Sequence, residues 1–167
     1  LTKIRSLSYG HSAVQPEVLQ RLIDQFNQDL LPKIYELGSL GASGDLAPLA
    51  HLSLPLFGEG ELYQDGQWKS ADAVLKAKGW EKLTLSSKEG LALLNGTQFS
   101  LSHGLWSAVE LKHLWNLATL TAAISLDAFD CRMSPFDEKL HRIRPHAGQI
   151  RTAASILHIL QGSKIAN

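Results

Sequence analysis

Five consecutive residues, Gly41-Ala42-Ser43-Gly44-Asp45, carry the most unusual chemical possibility in the sequence. Three readings of them stand open. The first is a glycine-rich turn ahead of a helix. The second is an anion cradle at a helix N-terminus, although the spacing has neither the lysine of a P-loop nor the glycine pattern of a dinucleotide fold. The third is self-modification. The backbone nitrogen of Gly44 attacks the carbonyl carbon of Ala42 to close a five-membered ring, and Ser43 loses its hydroxyl. Two waters leave, and the product carries an exocyclic methylidene, an electrophile that no standard side chain supplies. Glycine minimises crowding at the attacking nitrogen, and alanine is small enough for the bend.

Other polar residues offer less. Asn95-Gly96-Thr97 reads as a turn between two helices with Thr97 as N-cap. His51 is read as a packing or capping residue on a short helix. His103 and His113 do not share a tight ligand face, and His141 and His146 flank a proline without a third partner, so no metal site is expected. Cys131 reads as a buried or half-buried thiol, and the four tryptophans as ordinary core.

The elements that must position these residues are mostly helical. Pro16 suits a first helical position, and Val18, Leu19, Leu22, Ile23, Phe26 and Leu30 follow at helical spacing. Asp45 is a natural N-cap for an apolar helix from Leu46 to Phe57, which Pro55 should kink or end. Glu61 to Lys69 reads as a hairpin around Asp65-Gly66. A short helix over 71–78 stops at Gly79, and Ser86-Ser87-Lys88-Glu89 has capping-box spacing for the next. From about Thr97 to Phe129 one long helix is expected, apolar all round and therefore suited to burial within a bundle. Pro135 and Pro145 bracket a short helix, and Gly148 to Gln161 forms the last.

Composition narrows the classes. The chain has 167 residues, 44% of them hydrophobic, with 16 basic and 16 acidic side chains. Zero net charge argues against nucleic acid or a membrane surface as partner. No run is long and apolar enough for a membrane span, and the single cysteine suits a reducing compartment. The chain opens without methionine or a secretory signal, which together with the motifs below suggests an internal segment of a longer protein.

The segment from Gly38 to His51, with Gly41-Ala42-Ser43-Gly44-Asp45 at its centre, closely resembles the signature of the aromatic amino-acid ammonia-lyases. Glu89-Gly90-Leu91-Ala92-Leu93-Leu94-Asn95-Gly96-Thr97-Gln98 is similar to a second signature of that family. Ser6 to Ala13, Pro135-Phe136-Asp137 through His141, and Arg144 to Ile150 resemble further family segments in the same order. Arg5 stands where relatives usually have Asn, and Ala13 where Gly is usual.

The resemblance implies a mainly α, helical-bundle ammonia-lyase fold with one small hairpin at about 59–69. Residues 1–96 would form the part bearing the prosthetic group, and 97–167 the long bundle helix with the short helices after it. It implies that Ala42, Ser43 and Gly44 become 4-methylidene-imidazol-5-one (MIO), that Asp45 assists ring formation and caps the following helix, and that Asn95 hydrogen-bonds beside the group. A helix N-terminus near Asp45 would add positive potential. The implied partners are an amino-acid substrate and further copies of the chain in a cytoplasmic homotetramer, with no metal, nucleic acid or membrane. Ala47-Pro48-Leu49-Ala50-His51 is closer to the branch acting on histidine than to the phenylalanine branch. Phenylalanine or tyrosine as substrate, or a non-catalytic helical assembly segment, are the alternatives. No base or carboxylate clamp of the family has a counterpart here, so catalysis by these residues alone is not expected.

Overall fold

A computed structural model describes residues 1–166. Two compact units divide the chain inside its longest helix, one over Leu1–Leu105 and one from Trp106 on.

The first unit begins with α1 (Thr2–Ser8), which the sequence reading did not anticipate, and α2 (Pro16–Asn27), which starts at the expected proline. Leu7, Val18 and Leu22 from these helices pack with Leu56, Leu83 and Leu93 into one core cluster. A second cluster joins Leu30, Leu62, Ala71 and Val74, with Trp80 against it. The Asp65-Gly66 turn has φ of 53° and 81°, the positive pair that a two-residue hairpin demands. It joins β2 (Glu61–Gln64) to β3 (Gln67–Ser70) in the expected hairpin, with Gln64 opposite Gln67 and Glu61 opposite Ser70. The hairpin is not alone, however. β1 (Leu31–Pro32) pairs antiparallel with β2, so the sheet has three strands. Two residues ending in proline carry no alternation from which a strand could be read, and pairing with the hairpin edge alone makes them one.

α3 (Leu46–Ser53) runs into a single 3-10 turn (Leu54–Phe57), the change falling at Pro55 as expected. α4 (Ala71–Lys78) stops at Gly79, whose φ is 68°. α5 (Glu89–Leu94) starts later than the capping-box spacing predicts: Lys88, not Ser86, is its N-cap and no side-chain cap bond forms there. The Glu89 carboxylate is buried and accepts from Ser86 N at 2.6 Å and from Gln15 N at 2.5 Å, joining the start of α5 to the loop before α2.

α6 spans Gln98–Ala128. Four of its hydroxyls turn inward: Ser102, Thr119, Thr121 and Ser125 each donate to the carbonyl four residues back. The helix surface is therefore more apolar than its composition suggests. The expected burial is not met within this chain. Only Ala123 of α6 is buried, while Trp106, Leu111, Leu117 and Ile124 stand exposed. Three of the four tryptophans read as core, Trp68, Trp106 and Trp115, are likewise exposed. An all-round apolar helix needs neighbours on every side, and the described residues bury α6 only at Ala123.

In the second unit a 3-10 turn (Ser134–Phe136) leads to α7 (Glu138–Arg142) and α8 (Ala147–Ile159). Ala123, Ala153 and Ile156 are its buried helical residues. Arg151 lies 5.9 Å from the Trp115 ring centroid. The Asp127 carboxylate accepts from Ser163 Oγ and, at 3.3 Å, from Ala166 N. Cys131 is half-buried, as expected.

Candidate active-site loop

Ala42 and Ser43 lie exposed on the loop between Gly38 and Asp45, and the base of that loop is clamped by one carboxylate. Asp45 is 1% exposed. Its Oδ1 accepts from Ser39 Oγ at 3.0 Å, tying the two ends of the loop together. The same oxygen accepts from Ser100 Oγ at 2.7 Å, and Oδ2 accepts from Ser100 N at 2.8 Å. The Ser100 N–H holds Asp45 below the usual carboxylate range, the two serine hydroxyls adding to that pull and burial opposing it.

These bonds correct one expectation. Asp45 occupies the N-cap position of α3 but makes no side-chain cap bond there. Its carboxylate caps α6 instead, meeting one of the free N–H groups in that helix's first turn. The reason is geometric: Asp45 N donates to Gly96 O at 2.6 Å, which sets the residue beside the start of α6. The first-turn N–H groups of α3 take no side-chain cap bond from Asp45.

The Asn95-Gly96 turn forms the wall behind the loop. Asn95 is the C-cap of α5, its N–H donating to Leu91 O at 2.9 Å. Gly44 has φ of +116°, and a Cβ built on it would stand 2.8 Å from both Gly96 N and Gly96 O and 3.2 Å from Asn95 Oδ1. Two segments fifty residues apart thus meet in backbone contact, as roughly the closest approach that glycine permits. All five residues singled out, Ala42, Ser43, Gly44, Asp45 and Asn95, belong to this loop and its wall.

His51 is a packing residue, as expected, with its ring edge-on to Tyr35 at 5.1 Å. Among the described residues no group of three His, Cys, Asp or Glu side chains is placed to hold a metal ion. No helix of the described residues is long and apolar enough to cross a membrane.

Three contributors escaped the sequence reading. Ser39 and Ser100 look like ordinary loop and helix serines until Asp45 joins them. Lys3 resembles a surface charge near the chain start, yet it is 4% exposed. Its Nζ donates to Asn95 O at 2.9 Å, and burial pushes its ammonium down to about 8. No local pattern signals it.

The profile of the aromatic amino acid lyases matches residues 1–167. The chain belongs to the aromatic amino acid lyase family. Among curated lyases, a histidine ammonia-lyase of Burkholderia cenocepacia is 47% identical over 163 residues, covering 98% of this chain and 32% of that protein. Among solved lyase structures, the tyrosine aminomutase of Streptomyces globisporus superposes with a TM-score of 0.91 at 39% identity, over 99% of this chain and 31% of its own. The histidine ammonia-lyase of Trypanosoma cruzi gives 0.85 at 37%, over 93% and 31%. The chain spans about a third of the length of the curated relatives it matches. The mainly α fold with its small antiparallel sheet is that of these lyases and aminomutases.

Proposed function

We propose that the full-length protein containing this chain is a histidine ammonia-lyase, which removes ammonia from histidine to leave trans-urocanate, and that Ala42, Ser43 and Gly44 form its MIO group. One observation carries the reading: Gly44 sits where only glycine fits, against Gly96 and Asn95, at the tripeptide whose Ser43 can lose water. The group would supply an electrophilic methylidene at the loop. Asp45 clamps the loop base and fixes it to α6. Asn95 presents its side-chain amide beside the tripeptide, where it can orient the group or the substrate. The first turn of α3, free of a capping carboxylate, favours negative charge developing nearby. The bare apolar surface of α6 supports association with further copies, as a cytoplasmic homotetramer of the complete chain.

Turnover of the full-length protein tests the substrate. Growth of urocanate absorbance with histidine, and none after Ser43→Ala, is the expected result. Release of ammonia from phenylalanine or tyrosine without any from histidine would overturn the choice. The likeness to a tyrosine aminomutase makes tyrosine the comparison substrate to include.

A further inference from the structure

The wall behind the tripeptide is held from three sides. The Asn95 N–H is tied into α5, Gly96 O takes the Asp45 N–H, and Asn95 O takes the Lys3 ammonium. The third tie is chemically unlike the other two. Asn95 O lies at the C-terminus of α5, where carbonyls lack helical partners and the helix end is negative. A neutral donor or water would satisfy a carbonyl there. The chain instead buries an ammonium, with no carboxylate within salt-bridge distance among the described residues. Removing a charge from water is costly, and the lowered Lys3 pKa records that cost. A methionine would fill similar space on α1 without it. The charge therefore needs a reason beyond packing, and its one hydrogen-bond partner is the peptide group that faces Gly44.

We propose that Lys3 is a positioning residue for the prosthetic tripeptide: its buried ammonium locks the Asn95-Gly96 peptide in the orientation that presses on Gly44. This rests on the reading that the tripeptide closes into a ring. A fixed wall on one side of Gly44 limits the ways the 39–45 loop can flex, and so favours the approach of Gly44 N to the Ala42 carbonyl carbon. A cation on the Asn95 carbonyl also polarises that amide, making Gly96 N–H a stronger donor beside the loop.

The test uses full-length protein carrying Lys3→Met, Lys3→Gln or Lys3→Arg, with two readouts besides activity. Peptide mass spectrometry follows the loss of two waters from the segment containing Ala42-Ser43-Gly44 after synthesis. Hydrogen exchange follows the peptide spanning Asn95-Gly96. Lys3→Met should keep its melting temperature, since it sheds a buried charge, while ring closure slows on the order of tenfold and exchange at Asn95-Gly96 rises. Lys3→Arg should restore both. If Lys3→Met proves poorly folded, Lys3→Gln, which keeps a donor without the charge, takes its place with the same expectations in weaker form. Closure at the wild-type rate with unchanged exchange would overturn the proposal. Wild-type protein retaining both waters would instead overturn the ring reading, and unchanged exchange in Lys3→Met would then remove the locking role as well.

Discussion

The two units of this chain make opposite use of apolar residues. In Leu1–Leu105 leucines from helices, loops and the sheet close on one another, and Leu56 and Leu62 are fully enclosed. From Trp106 on, the apolar residues of α6 line an exposed helix on which the Thr119, Thr121 and Ser125 hydroxyls are folded away against the backbone. The first unit brings a loop and its wall into backbone contact; the second presents a surface. Hydrophobic content alone does not separate the two roles. What separates them is whether the partners of each apolar face are supplied by the same stretch of chain.

That contrast can be broken by mutation. Leu56→Ala opens a cavity in the enclosed core and should cost about 2–5 kcal/mol, read by chemical denaturation. Gly44→Ala forces a Cβ against Gly96 backbone at positive φ. It should cost about 1–3 kcal/mol, and the tripeptide should keep both waters by mass. Asp45→Asn keeps the shape but turns a pure acceptor into a group that is half donor toward Ser39 and Ser100. A loss of about 1–3 kcal/mol is expected. The acid limb should change too. The folded-state pKa of Asp45 lies below the ordinary 3.8, so its contribution is complete above that value and fades as pH falls through the folded pKa. In Asp45→Asn that fading should vanish, and the stability curve below pH 4 should be flatter. Leu111→Ala, on the exposed surface of α6, should change the stability of the isolated chain by no more than about 0.5 kcal/mol. A cost at Leu111 like that at Leu56 would show that this face of α6 is covered within the chain itself.

Much of this was legible in advance, and the reasons differ by element. Pro16, Gly79 and the Asp65-Gly66 turn are local chemistry, and each marks its boundary in the structure; the Ser86–Glu89 spacing announces α5 but not its first residue, which is Glu89 itself. The length of α6 follows from a long stretch without proline. β1 was not legible, because two residues become a strand only when another strand lies beside them. The fate of Asp45 was half legible: an acid capping a helix was foreseen, but its burial and which helix it caps depend on the Gly96 contact from fifty residues away. Burial of Lys3 depends on the same turn. Long-range backbone contacts leave no trace in local spacing, and here they make the wall of the site.

The most direct test of the account is the mass of the peptide containing Ala42-Ser43-Gly44 from full-length, folded protein. The account predicts a mass lower by two waters, restored to the unmodified value in Ser43→Ala. An unmodified tripeptide in active wild-type protein would contradict it.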